Sequence, residues 1–486
     1  MKRKKLVSVC MASAMVLGLT ACGGSGGGTD STTAGTSKET KAETAAGSET
    51  AAGDETKAAE DTAASGDAQT ITFTFRDDGQ GEKSALWQWI QDGYDSWDKK
   101  DSVKLNISPI VASEGDYFAK IALQLQDPST CPDLVCEDTF QLPNDVSAGY
   151  LTDLSDYVKD YTEWNDGTYY ESMKTGVSKD GKPYGIPYCT DTRGLWYNKD
   201  IFKQAGLPEE WAPKSWQEIL DACKTIKEKV PDVVPFWCNS GVATGEATSM
   251  QTYEMLLYGT GERLIDDNGK WIVKSQGMTD SLNFLNDIYS NGYGPSLSKV
   301  LNGQASNTSA REYLPQGKLA ISLDGSWITG NWEDTGASPW PEAKDVMGFA
   351  PMPTSTGQEP GTITLAGGWA LSIPENSDSK DITFEFIKHL MDPSIYTKAV
   401  IAQGNIATRT DVAKDAEYAA KPFKQISTDF LATAEFRPQN DQYSTVSTSI
   451  QSMVEAVVSG TSPEDAIAQY GTEVKRAVGD DETVEK

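Results

Sequence analysis

The sequence predicts an α/β chain of two lobes with mostly parallel sheet. Three observations carry that prediction. Strand-like and helix-like patterns alternate from Thr70 onward, the order that builds parallel sheets. A length of 486 residues exceeds what one compact core holds and fits two lobes plus appendages. The run Gly181-Lys182-Pro183-Tyr184-Gly185-Ile186-Pro187 precedes a hydrophobic strand, as a crossing between lobes would.

Taken in chain order, Thr70 to Phe75 alternates threonines with Ile71, Phe73 and Phe75, the period of a strand. Trp87, Ile90, Tyr94 and Trp97 then recur at three- and four-residue steps, as one helix face does. Val103 to Val111 is the next strand, interrupted at Pro109. Tyr117 to Leu125 is helical in pattern and stops at Asp127-Pro128. Pro132 to Cys136 is a short buried strand that delivers Glu137 and Asp138 at its carboxyl end. Ligands sit beyond the carboxyl ends of such strands, so both acids are binding candidates. Position alone also allows two solvated loop acids. Past the crossing, Leu195 to Asn198 is a hydrophobic strand and Ile201 to Gly206 is amphipathic, while Asp266-Asp267-Asn268-Gly269 reads as a turn without calcium-loop spacing.

The ends of the chain have a different composition. Lys2 to Lys5 is basic, Leu6 to Leu19 is apolar and a small-residue site ends at Cys22, the layout of a secretory signal too short for a permanent membrane span. Leu19-Thr20-Ala21-Cys22, followed by Gly23, resembles the lipobox of bacterial lipoproteins, which implies cleavage after residue 21 and acylation of Cys22. An ordinary signal peptide with an incidental cysteine is the alternative. Gly23 to Gln69 contains no Ile, Leu, Val, Met, Phe, Tyr or Trp and has nothing to bury against the entropy of ordering. Residues 22–69 are therefore expected to be a flexible tether, with a reach of roughly 35–40 Å. Every one of the 13 Trp, 19 Tyr and 13 Phe lies after Gln69, so the folded region, 70–478, is aromatic-rich and the low overall hydrophobic fraction of 38% belongs to the tether. Residues 479–486 read as an acidic tail.

Charge and residue counts exclude several function classes. Asp+Glu 71 against Lys+Arg 42 gives a net charge of -29, which repels phosphate backbones and excludes nucleic acid as a partner. Loss of Lys2, Arg3, Lys4 and Lys5 with the signal takes the charge from -29 to -33. The single histidine, His389, lies in an apolar helix, so neither a multi-histidine zinc site nor a Ser-His-Asp set with a spare is available. Beyond the signal and lipobox there are Cys131, Cys136, Cys189, Cys223 and Cys238, an odd number with no Cys-x-x-Cys. Cys131 with Cys136 and Cys223 with Cys238 are open pairings. No metal or cofactor is called for.

Four stretches in order then carry a specific resemblance. Gly115-Asp116-Tyr117 precedes the Pro132-Asp133 strand; Leu195 to Leu207 is followed by Pro213-Lys214-Ser215-Trp216-Gln217-Glu218-Ile219; Gly317 to Leu323 leads into Asp324-Gly325-Ser326-Trp327; and Ala366-Gly367-Gly368-Trp369-Ala370-Leu371-Ser372-Ile373-Pro374 precedes a helix from Asp381 to Met391. The pattern is similar to that of the extracellular solute-binding proteins of sugar ABC importers, the group that includes maltose-binding protein. The resemblance covers 70–478. It implies a type II periplasmic-binding-protein-like fold in which each lobe is a mostly parallel sheet flanked by helices, with a hinge between. Lobe 1 would hold about 70–188 plus 367–430, and lobe 2 about 189–366 plus 431–478. It further implies a monomer that is not an enzyme. Held at the membrane by its lipid, facing outside or into a periplasm, it would give a carbohydrate to the transmembrane subunits of an ABC permease.

A pyranose has an apolar face and a rim of hydroxyls, so its site needs flat aromatic rings together with carboxylates, amides or arginine. The resemblance makes Trp327 a sugar platform, with a core tryptophan as the alternative, and places Asp324 beside it. Trp369, after Gly367-Gly368, is a second aromatic candidate. Asp138 and Glu137 match positions of carboxylates that bind hydroxyls. Tyr253 resembles an aromatic contributor from the second lobe, or is one rung of a Met250, Tyr253, Leu257 helix face. Arg193 either bridges sugar hydroxyls or pairs with Asp191. A glycoside hydrolase would use the same aromatic platforms with two carboxylates, but no β/α-barrel repeat accompanies them. A surface glycan-binding lipoprotein without a transporter is the other alternative.

Overall fold

The computed structural model describes residues 69–486. The expected signal, Cys22 and the tether lie outside the described residues. The first lobe begins with β1 (Gln69–Thr74), α1 (Ala85–Ser96), β2 (Val103–Ile107), α2 (Glu114–Gln126), β3 (Leu134–Asp138) and β4 (Ile186–Thr190). Only Asp191 and Thr192 separate β4 from β5 (Arg193–Asn198), where the chain enters the second lobe. That lobe adds α3 (Trp216–Lys229), β6 (Val234–Trp237), α4 (Gln276–Ser290), β7 (Leu319–Gly325) and β8 (Met347–Ala350). The return crossing is equally short, Ala366 and Gly367 between β9 (Thr362–Leu365) and β10 (Gly368–Ser372). Helices α5 (Lys380–Leu390) and α6 (Pro393–Ala402) pack on the first lobe, β11 (Ala434–Glu435) pairs with β9, and α7 (Tyr443–Val458) and α8 (Pro463–Val478) close the second.

The sheet of the first lobe has the order β2-β1-β3-β10-β4 and that of the second β6-β7-β5-β8. Each runs one way apart from a single strand entered from a crossing: β10 is antiparallel to β3 and β4, and β5 is antiparallel to β7 and β8. Both sheets are mixed for the same reason, since a strand that arrives through a two-residue crossing has no room to reverse before it joins the sheet. The second sheet is buried on both faces. Leu195 and Tyr197 of β5 join one core with Ile321 and Leu323, while Trp196 faces the other and stacks on Phe349 with centroids 4.1 Å apart.

Local signals set the helix ends. Ser84 accepts the N–H of Trp87 at the start of α1, and Ser215 accepts that of Glu218, whose carboxylate returns to Lys214 N, at the start of α3. Helix α1 buries Trp89, Ile90 and Gly93, with Trp87 and Tyr94 half-buried. Gly93 permits close helix packing, because a Cβ there would lie 2.4 Å from Leu390. His389 is bonded to α1, with Nε2 3.0 Å from Gly93 O and 3.2 Å from Ser96 Oγ. The five described cysteines are free thiols. Tyr418 belongs to the first lobe's core, whereas Phe423 and Phe430 pack on Trp196 and Phe349 of the second. The acidic terminus is not a loose tail: Thr483–Glu485 pairs in parallel with Trp271–Lys274, helped by Lys475 Nζ to Glu485 at 3.0 Å and by Val484, which packs on the second core.

Strand β10 leaves no space for a side chain at its first residue, just past the return crossing. Gly368 has φ +155°, and a Cβ there would sit 2.3 Å from Cys189 O. Gly368→Ala is expected to cost about 2–4 kcal/mol in chemical denaturation. An unchanged midpoint would show that the crossing has slack.

Candidate functional site

A cleft of about 350 Å³ lies between the lobes. Its walls come from the carboxyl ends of β3 and β7, the β4–β5 crossing and the start of β10, so Asp138, Arg193, Asp324, Trp327 and Trp369 all line it. The two tryptophans stand on opposite lobes, each partly exposed. Trp327 follows β7 on a 3-10 turn, and its ring folds back over Gly325, where a Cβ would lie 1.8 Å from the indole. Gly325 has φ -87°, so glycine serves here as room for the ring, not as a backbone swivel. The guanidinium carbon of Arg193, at the start of β5 in the same lobe, is 4.8 Å from the Trp327 ring centroid. Trp369 stacks on Phe118 at an interplanar angle of 16° and centroid distance of 6.1 Å.

Arginines organise the polar groups behind the cleft wall and along it. Arg437 follows β11 and donates from Nη2 to Asp138 at 2.6 Å and from Nη1 to Glu246 at 3.0 Å, while its plane covers Phe140 at 4.5 Å. Asp138 belongs to the first lobe and Glu246 to the second, so one buried cation joins the two. Glu246 also accepts from Tyr443 Oη at 2.9 Å, Ser249 Oγ at 3.1 Å and Ser447 Oγ. Burial raises the Asp138 carboxyl above its ordinary value, against the pull of Arg437. Arg193 pairs with Asp191, donates to Leu365 O at 3.0 Å, and lines the cleft. Asp191 in turn accepts the Gly367 N–H at 2.9 Å and so ties the first crossing to the second.

Several polar atoms here have no protein partner. Hydrogen bonds to Asp138 converge on Oδ1, which also takes the Phe140 N–H at 3.1 Å, and Asp324 takes the Gly325 N–H on Oδ1 at 2.8 Å; Oδ2 of each is left over. Arg76 Nε, Arg193 Nε and Gln251 Oε1 are buried without a partner on residues that line the cleft. Burial pushes the Asp324 carboxyl up to about 7, offset by the Gly325 N–H and the charge of Arg193.

Two expected residues are placed elsewhere. Glu137 neighbours Asp138 on β3, and strand alternation turns it away from the cleft toward Asp145. Burial and then Asp145 hold its carboxyl well above the carboxylate range. Tyr253 is wholly buried in the core of the second lobe. It lies on a π-helical turn, Ser249–Glu254, whose wider register turns Gln251 to the cleft in its place. Arg76, Asp78, Arg311 and Arg437 carried no local pattern; Arg437 is a lone cation before Pro438, and its partner Asp138 lies 299 positions away.

The family model described as "Bacterial extracellular solute-binding protein" matches residues 76–396. The chain is 24% identical over 405 residues to the diacetylchitobiose binding protein DasA of Streptomyces coelicolor, covering 80% of this chain and 89% of that protein. Among solved structures, it is similar to an ABC transporter solute binding protein of Thermotoga lettingae bound with alpha-D-tagatose, with TM-score 0.72 and 25% identity, covering 85% of this chain and all of that one. Maltose-bound MalE3 of T. maritima also gives TM-score 0.72, at 24% identity, covering 84% and 100%.

Removing the bridging cation would leave two carboxylates buried at the lobe junction. Arg437→Met is expected to cost about 3–5 kcal/mol in denaturant unfolding. The defect should be smaller at about pH 5 than at about pH 8, because a buried carboxyl with a raised pKa destabilises the fold as pH rises toward that value. Equal stability of variant and wild type at both pH values would remove Arg437 as the joint between lobes.

Proposed function

The chain belongs to the bacterial extracellular solute-binding proteins, and from that premise we propose that it captures a mono- or oligosaccharide between its lobes and delivers it to an ABC permease. One observation carries the proposal: the cleft presents an indole from each lobe together with polar atoms that have no protein partner. Flat rings suit the apolar face of a pyranose, and the Oδ2 atoms of Asp138 and Asp324, Arg76 Nε, Arg193 Nε and Gln251 Oε1 suit its hydroxyl rim. Trp327 and Trp369 are the platforms. The ligands named for the similar proteins, diacetylchitobiose, tagatose and maltose, are of this class.

A ligand that touches both walls favours the apposed lobes because it gains its full contacts only there. The permease then takes up the loaded, closed form. Acylated Cys22 and the residues that follow it hold the domain at the outer face of the membrane, as a monomer within reach of solute and permease. No catalytic step is assigned to the cleft: Asp138 is committed through Oδ1 to Arg437.

A glycan panel tests this. Each saccharide that binds is expected to stabilise the protein, by about 2.7 kcal/mol at a hundred times its dissociation constant. Trp327→Ala should abolish the shift while the ligand-free melting temperature stays near wild type. A panel without a shift for any member overturns the sugar assignment, and released reducing ends would make the protein a hydrolase.

Asp324 supplies a second test. A sugar hydroxyl donates to the ionised carboxyl, so affinity should rise as pH passes upward through about 7 and level off above. In the unliganded protein the sign is opposite, and the stability contributed by this group is lost as pH rises from about 4 toward 7. Titration calorimetry between about pH 5.5 and about pH 8.5 should show the dependence in wild type and not in Asp324→Asn. Tighter binding at the acidic end would remove Asp324 as a hydroxyl acceptor.

A further inference from the structure

Outside the crossings, a further ion pair joins the lobes, and this one spans the cleft. Asp78 follows the two-residue strand Arg76–Asp77 of the first lobe, and Arg311 lies on the π-helical turn Ser309–Tyr313 of the second. The pair joins side chains 233 positions apart, and both line the cleft. Neither is free to wander. Arg311 Nε donates to Asn331 Oδ1 at 2.7 Å and its carbonyl accepts from Ser338 Oγ at 2.9 Å, all within the second lobe. Asp78 accepts from Gln80 Nε2 at 3.0 Å within the first. The side chains are 20% and 17% exposed, so water screens the pair only in part. Burial works to raise the Asp78 carboxyl, yet Arg311 holds it below its ordinary value.

Each partner is thus oriented by its own lobe, and the contact exists only while the lobes are apposed. Arg437 also joins the lobes, but it stands beside Gly367 of the return crossing, where rotation about the hinge displaces atoms least. Asp78 and Arg311 belong to no crossing, so the same rotation separates them. We propose that Asp78 and Arg311 are an inter-lobe latch, positioning residues that hold the cleft closed before any solute arrives. The latch raises the closed fraction of unliganded protein and presents a preassembled cleft, which lowers the cost of closure at binding. It rests on the two-lobed fold and not on the class of solute.

Hydrogen exchange of the full ligand-free chain tests it, with no saccharide present. Asp78→Asn keeps shape and removes charge. It should speed exchange about fivefold on the opposite wall, at 303–311 and 327–337, as loss of a part-buried pair shifts the opening equilibrium. Arg311→Gln should do the same at 76–86. The reversed pair Asp78→Arg with Arg311→Asp should return both walls toward wild type. Changes confined to the substituted wall, or no recovery in the reversed pair, would overturn the latch. A failed glycan panel would leave this result untouched, and failure of the latch would leave the sugar assignment standing.

Discussion

Everything at the junction of the lobes depends on one guanidinium that water scarcely reaches. An isolated buried charge costs several kcal/mol, and the cost is offset only where geometry and hydrogen bonding are complete. Arg437 meets that condition with Asp138 from one lobe, Glu246 from the other and the face of Phe140 beneath. Gly367 stands beside it, where a Cβ would be 3.1 Å from Nη2, so the return crossing is shaped around the cation. Once Arg437 claims Oδ1 of Asp138, the other oxygen is left for the cleft. The same contact that secures the fold thereby orients a binding group.

The acids deeper in the second lobe follow from that arrangement. Glu246 remains paired and takes the single proton of Tyr443 Oη, while Glu254, pushed up to about 8 by burial and by the charge of Glu246, keeps its own proton and donates it to that oxygen at 2.6 Å. Asp145, raised by burial to about 6, shares its site with Glu137 in the first lobe. In a chain with net charge -29, acids are cheap on the surface and expensive inside. The interior accommodates them by arginine where geometry permits, and by a retained proton elsewhere. The cleft carries Arg76, Arg193 and Arg311 among its acids, so its local balance is unlike that of the exterior.

Which parts were legible in the sequence follows from the range of the interaction. Strand periodicity and helix caps are local, so β1 to β3, α1 and α2 could be placed from Ile71-Phe73-Phe75, from the three- and four-residue steps of the helix and from Asp127-Pro128. Even there Trp89 escaped, because the stripe Trp87-Ile90-Tyr94-Trp97 marks one edge of a broader buried face. Choosing between Glu137 and Asp138 required knowing which face of β3 meets the cleft. Tyr253 was displaced by a π-helical turn, which shifts the register that a 3.6-residue period assumes. Arg311 and Arg437 find their acids 233 and 299 positions away, and no window of sequence contains such a pair. The Val484 strand was hidden by the charge around it.

The short crossings determine what kind of motion the cleft undergoes. Two residues between β4 and β5 and two between β9 and β10 leave little chain to slide, and Asp191 binds the Gly367 N–H across them. Within the first lobe, Thr190 and Ile406 exchange backbone hydrogen bonds at 3.0 and 2.9 Å and anchor the start of the first crossing. Shear between lobes would break the Asp191–Gly367 bond, whereas a rotation about it would not, so hinge rotation is the inexpensive motion. Trp327 stands just past the end of β7 and Trp369 at the start of β10, so rotation carries the two rings apart as rigid walls. The distance between the rings, and with it the fit to any flat ligand, is therefore governed by the hinge angle. Recognition and closure are a single coordinate here because the binding groups are fastened to the strands that pivot.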